Sequence, residues 1–135
     1  REGQLGHDIR LDSTDPVGVP GLSSVQQVVA GTSHTCARRS DGRASCWGAN
    51  NYGQLGDGTL DDRATPTEVP GLEGVTLLAA GEDHTCAVTV GGVRCWGRAT
   101  HGQLGHGTRP WVRERPARVV FGGCPPTGTV ASGAP

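Results

Sequence analysis

The chain contains no methionine and only one phenylalanine, one tyrosine and one isoleucine in 135 residues. With 9 leucines and 14 valines, the residues that usually fill a core number 25, a little under a fifth of the chain. That supply is thin for one ordinary domain and, taken alone, points to disorder. Disorder also needs high net charge, and here it is only −1. Near-neutrality equally argues against nucleic acid as a partner, because phosphate binding needs a concentrated basic surface. The most basic stretch, Arg109 to Arg118, sets Arg109, Arg113, Arg115 and Arg118 against Glu114 and reads as a solvated loop face. No apolar run approaches the roughly 20 residues of a membrane-spanning helix. The chain opens at Arg1-Glu2-Gly3-Gln4-Leu5-Gly6, inside a motif, so a processed or truncated piece is expected.

What is abundant is glycine, 23 residues, with 9 prolines, and most of these recur in register. A first copy carries Val19-Pro20-Gly21-Leu22, His34-Thr35-Cys36-Ala37, Cys46-Trp47-Gly48 and Gly53-Gln54-Leu55-Gly56. A second carries Val69-Pro70-Gly71-Leu72, His84-Thr85-Cys86-Ala87, Cys95-Trp96-Gly97 and Gly102-Gln103-Leu104-Gly105. The offset is 50 residues for the proline and His-Thr-Cys motifs and 49 for Cys-Trp-Gly and Gln-Leu-Gly. A fixed period of this size makes the repeat the unit of reasoning. Pro16, Pro66 and Pro116 mark the segments, giving repeats of about 16–65 and 66–115 with partial copies at both ends of a repeat region, 1–122. Residues 123–135, rich in Gly and Pro and without periodicity, read as a disordered tail.

No window has useful helical periodicity. Short apolar runs bounded by Gly, Pro and Asp predict strands over 25–30, 34–39 and 43–47, and again over 75–80, 84–89 and 93–96. The Ala30-Gly31 and Ala80-Gly81 pairs close the first strand of each set. Small residues there suit strands that converge, as at the axis of a propeller.

The cysteines fix a register. If Ser40-Asp41-Gly42 is a hairpin loop with Gly42 left-handed, facing residues sum to 82 and Cys36 faces Cys46. The second loop, Val90-Gly91, is one residue shorter, facing residues sum to 181, and Cys86 faces Cys95. Both fall at non-hydrogen-bonded positions, where Cα atoms approach to roughly 4.5 Å, within the roughly 4.4–6.8 Å that a disulfide spans. Reduced cross-strand thiols and a metal site built with His34 or His84 are the competing readings. No fourth ligand recurs, and the two-residue knuckle of zinc sites is missing, so disulfides and an oxidising compartment are expected. Cys124 has no counterpart in the repeats and is either an intermolecular thiol or an idle one.

The runs Ala80-Gly81-Glu82-Asp83-His84-Thr85-Cys86-Ala87 and Cys46-Trp47-Gly48-Ala49-Asn50-Asn51-Tyr52-Gly53-Gln54-Leu55-Gly56-Asp57-Gly58-Thr59 resemble the regulator of chromosome condensation repeat family. The resemblance covers roughly residues 1–119. It implies an all-β fold of β-propeller blades, about two complete four-stranded blades plus partial ones, hence an incomplete propeller. The paired cysteines are similar to a variant found in large bacterial extracellular or envelope proteins. The resemblance further implies that Leu5, Leu55 and Leu104 are core residues and that Trp47 and Trp96 pack between blades. It casts His34 and His84 as structural residues whose imidazoles bond backbone groups of the next turn.

Functions within this family differ widely, and the fold does not choose among them. The expectation is a non-enzymatic module that binds a protein partner through loops differing between copies, 57–65 and 106–115. Asp61, Asp62, Arg109, Trp111 and Arg113 are the candidate contact residues, with Trp111 the best anchor. A purely structural spacer of a larger extracellular protein is the alternative, and exchange-factor-like activity on a small GTPase a remote one. No nucleophile–base constellation recurs, so no catalytic residue is assigned. Asp57, Asp61 and Asp62 lack the spacing and closing Glu of a calcium loop, and no metal or cofactor is called for. Open blade edges also invite self-association.

Overall fold

The computed structural model describes residues 3–7, 12–99 and 112–119. Its strands are β1 (Val25–Ala30), β2 (His34–Arg39), β3 (Ala44–Gly48), β4 (Arg63–Glu68), β5 (Val75–Ala80), β6 (His84–Thr89), β7 (Gly92–Arg98) and β8 (Val112–Arg118). They form two four-stranded antiparallel sheets, β1-β2-β3-β4 and β5-β6-β7-β8, each a meander of neighbours in sequence. Each sheet is one blade, and the two together are part of a propeller. Among the described residues no helix is long and apolar enough to cross a membrane.

Six strands lie where the glycine-bounded runs place them, within two residues at each end. The other two, β4 and β8, contain Pro66 and Pro116, which read in sequence as breaks. Both are outer strands, paired on one side only among the described residues. Each proline falls where the ladder is interrupted, between Thr67 and Arg63 in one blade and between Ala117 and Arg113 in the other. A missing N–H costs little at such a place. The expected exposed loop 57–65 therefore ends at Asp62, because Arg63 opens β4.

The hairpin register is the one read from the cysteines. Cys36 pairs with Cys46 and Cys86 with Cys95, with Cα atoms 4.1 Å apart in each case and the sulfurs bonded as disulfides. Gly42 has φ +79° and donates its N–H to the Arg39 carbonyl at 3.0 Å, while Asp41 Oδ1 accepts the Arg43 N–H at 3.0 Å. The left-handed residue is thus glycine, which has no Cβ to oppose that conformation.

The hydrophobic core lies between the blades rather than within either one. Cys36, Ala44, Cys46 and Leu55 from the first blade meet Val69, Leu72, Val75, Leu78, Ala87 and Trp96. The thin apolar supply suffices because each blade shares its faces with neighbours. The inner strands do converge. The Thr32 N–H donates to the Glu82 carbonyl at 3.1 Å, and a Cβ on Gly31 would stand 2.5 Å from the Gly81 carbonyl oxygen. Beside them the Gln27 side chain clasps the edge of β5 that does not pair with β6. Its Nε2 donates to the Leu78 carbonyl and its Oε1 accepts the Leu78 N–H, both at 2.9 Å.

Candidate functional site

A polar seam joins the blades. The carbonyl oxygen of Gln54 accepts hydrogen bonds from the Thr85 hydroxyl and from Trp96 Nε1–H, both at 2.9 Å. One repeat earlier, the Gln4 carbonyl accepts from Thr35 Oγ1 at 3.1 Å and Trp47 Nε1 at 2.7 Å. The Gln-Leu-Gly motif therefore supplies a carbonyl socket for the threonine and tryptophan of the next repeat. Its glycine must remain bare, because a Cβ on Gly56 would stand 2.7 Å from Trp96 Nε1. Leu55 is fully buried beside this socket, as expected, whereas Leu5 is only half-buried. Leu104 lies outside the described residues.

His34 is locked into the same seam. Its Nε2 lies 2.9 Å from Thr85 Oγ1. The single Thr85 hydroxyl proton goes to Gln54, so the imidazole must donate from Nε2, which leaves Nδ1 as the lone-pair nitrogen. Nδ1 is buried and has no partner among the described residues. Burial pushes the His34 pKa down to about 4, with the Asp83 carboxylate opposing and His84 reinforcing the shift. The sequence expectation of a structural imidazole bonded to backbone differs in its partner: the acceptor is a side-chain hydroxyl on the next blade. The signal was present, since His34 and Thr85 belong to the same triplet of successive copies.

The loop from β3 to β4 is built around Asn50, which is fully buried. Its Oδ1 accepts the Leu55 N–H at 3.0 Å. Its amide hydrogens are shared among Asp57 Oδ1 at 3.1 Å, the Thr59 carbonyl at 3.0 Å and the Asp61 carbonyl at 2.9 Å. Its own N–H donates to Asp62 Oδ1 at 2.9 Å. Asp57 adds a second anchor, accepting from the Thr59 N–H and hydroxyl at 2.9 and 2.8 Å and from Arg63 Nε at 2.8 Å. Burial pushes the Asp57 carboxyl up, but the donors on Arg63, Thr59 and Asn50 outweigh it and hold the pKa below its ordinary value. The loop also reaches the second blade, where the Gly58 N–H donates to the Glu114 carbonyl at 2.8 Å. What it presents outward is Leu60, 53% exposed, beside the exposed Asp61.

Of the sequence-derived candidates, Asp61 and Asp62 are brought together at this loop, both through Asn50. Asp62 serves the loop's internal bonding, and Asp61 faces out. Arg113 lies near the start of β8, its backbone opposite Gly97. Arg109 and Trp111 lie outside the described residues, as does Cys124. Asn50, Leu60 and Arg63 were not singled out in the sequence. Asn50 aligns with Ala99 in the second copy, so no repeat signal marks it. Among the described residues no three His, Cys, Asp or Glu side chains group as a metal site.

The family profile of the regulator of chromosome condensation (RCC1) repeat matches residues 1–38 and 41–88, and a second profile of the same repeat matches 25–54 and 75–103. No curated protein sequence matches the chain. Among solved structures, human WBSCR16 superposes with a TM-score of 0.77 at 24% identity, over 91% of this chain and 33% of that one. Yeast RCC1 (Prp20), solved with Kap60 bound, gives 0.68 at 25% identity, over 77% of this chain and 25% of that one. Prp20p from Saccharomyces cerevisiae, in a structure reported with its binding to Gsp1p and histones, gives 0.72 at 21%, over 88% and 32%. The chain spans a quarter to a third of the length of these structures. With the repeat profile covering more than half of its residues, the chain belongs to the RCC1 repeat family, and its two blades are a portion of an RCC1-type β-propeller.

Proposed function

We propose that this chain is a non-enzymatic protein-interaction module whose contact surface is the β3–β4 loop, with Leu60 and Asp61 at its crest. The observation that carries the reading is the contrast within one loop. Its base is fixed by Asn50, Asp57 and Arg63, while its crest holds a leucine that is 53% exposed. A pre-ordered loop loses little entropy on binding, so an exposed apolar crest on a rigid base is a favourable contact. The counterpart loop of the second repeat, with Arg109, Trp111 and the beginning of β8 at Arg113, supplies the second contact, Trp111 being its anchor. The precedent is Prp20, a protein of the same repeat solved with Kap60 bound. The two disulfides support a workplace in an oxidising compartment, extracellular or in a cell envelope.

The test is photo-crosslinking from position 60 of the whole chain in an extracellular or envelope extract, with a crosslinker at Val90 as control. The captured protein is then purified and its affinity measured against the wild type, Leu60→Glu and Asp61→Arg. The reading expects saturable binding that weakens at least tenfold in either variant with an unchanged melting temperature. Equal capture from both positions, or equal affinity in all three chains, would replace it with the structural-spacer reading.

A further inference from the structure

Arg94 and Arg118 stand directly opposite each other on β7 and β8. The Val119 N–H donates to the Val93 carbonyl at 2.8 Å, which makes the two arginines a non-hydrogen-bonded pair. Their Cα atoms then lie about 4.5 Å apart, the closer of the two spacings in an antiparallel ladder. Like charges placed so repel. Neither guanidinium has a hydrogen-bond or ion-pair partner among the described residues. A third arginine, Arg115, is exposed on the same strand, over Gly58 of the first blade, where an added Cβ would stand 2.9 Å from its Nε. It too has no acidic partner among the described residues.

The first blade carries the opposite charge at the same register. Ser45 pairs with Glu68 there, and the Val69 N–H donates to the Ala44 carbonyl at 2.9 Å. The Glu68 carboxylate accepts Arg43 Nη1 at 2.9 Å and lies 3.5 Å from Arg39 Nη2. This place in the fold therefore holds a carboxylate between two guanidiniums. In the second blade Arg118 stands in the position of Glu68 and Arg94 in that of Ser45. Two guanidiniums are again together, and the chain supplies no carboxylate between them.

Neither adjoining blade covers this position. Arg94 lies on the side of β7 that faces the first blade, the side from which Trp96 Nε1 reaches Gln54. Arg118 is exposed with that blade in place. The Glu68 side chain is 45% exposed with the second blade in place behind it. Three arginines on two strands are also too few to track a long polyanion, and the net charge of −1 adds no wider basic field. Two facing forks suit a carboxylate, whose oxygens can accept from both.

We infer that Arg94 and Arg118 receive a carboxylate side chain from an acidic segment of a partner protein, with Arg115 extending the contact along β8. The partner's carboxylate takes the place that Glu68 fills in the first blade. This contact does not rest on the β3–β4 loop.

The test is fluorescence anisotropy of a labelled hexaglutamate peptide titrated with the whole chain at low salt. Arg94→Gln and Arg118→Gln are compared with Arg43→Gln, a control of equal charge whose guanidinium is already held by Glu68. Saturable binding is expected, at least fivefold weaker in Arg94→Gln and in Arg118→Gln and unchanged in Arg43→Gln. Neither Arg94→Gln nor Arg118→Gln should melt below the wild type, because each relieves a repulsion. A peptide that never saturates the chain would overturn the inference. So would an affinity that falls as far in Arg43→Gln, or in none of the three. Tighter binding of a labelled sulfated dextran than of the peptide would also overturn it and assign the arginines to a polysaccharide.

Discussion

His34 donates from Nε2 to the Thr85 hydroxyl across the blade boundary, at 2.9 Å, and Thr85 passes its own proton to the Gln54 carbonyl. The donor and the two oxygens come from three different segments of two successive repeats. One buried contact therefore reports on whether the blades are stacked.

The first consequence is a dependence on pH. His34 has a folded pKa of about 4, below its ordinary 6.5, because burial disfavours the charged imidazolium, whose Nδ1 would find no acceptor among the described residues. The unfolded chain takes up that proton more readily. The associated stability is complete above about pH 6.5 and falls as pH drops from there toward 4, by about 3 kcal/mol at most. Asp57, held below its ordinary value, acts in a lower window. Its contribution is present above the usual aspartate range and is lost only as pH falls further. Urea unfolding at pH 7 and pH 4.5 should show the loss, and His34→Gln should flatten the slope between those values.

Thr85 should matter more than Thr35, although both occupy the same position of the repeat. Thr35 donates to Gln4 and no imidazole reaches it among the described residues, whereas Thr85 both donates to Gln54 and receives His34. Thr85→Val strands a buried imidazole N–H and should cost about 2–3 kcal/mol, against about 1 kcal/mol for Thr35→Val. Denaturant midpoints of the two variants decide it.

The disulfides should differ as well. Their loops are nearly equal, with separations of 10 and 9 residues, and each is worth about 2.5–3 kcal/mol in the chain-entropy model. Cys36 and Cys46 are fully buried between the blades, whereas Cys86 is half-buried, on a face that no further blade covers among the described residues. A graded reductant followed by peptide mapping should open Cys86–Cys95 first. The pair Cys36→Ala and Cys46→Ala should lose more stability than Cys86→Ala with Cys95→Ala, because it also removes sulfur from the shared core.

The sequence was legible wherever the repeat repeated. Matching glycines bounded six strands, and two hairpin loops of different length that kept the cysteines opposed fixed the register. What it hid falls into two kinds. β4 and β8 were hidden because Pro66 and Pro116 break local strand character, and only their place at an outer edge makes them tolerable. Asn50 was hidden because its bonds run to a loop that the second copy does not reproduce, with Ala99 in its place. A repeat comparison finds what copies share. The β3–β4 loop is what they do not share.

Asn50 should accordingly be the residue on which that loop depends. Asn50→Ala leaves the Leu55 N–H and the Thr59 and Asp61 carbonyls without their side-chain partner. The expected cost is about 2–3 kcal/mol, with faster amide exchange through residues 51–62. The matched change in the second repeat, Ala99→Gly, should leave this loop unaltered.

The β3–β4 loop is already built and sealed to the next blade in the chain by itself. Native-state hydrogen exchange of the Trp96 indole N–H and the Leu55 amide N–H tests this directly, because both donate into the structure that holds the loop. The account predicts that both exchange only with global unfolding, at the slowest rate in the chain and with its full denaturant dependence. Exchange through a local opening, fast and insensitive to denaturant while the sheets stay protected, would contradict it.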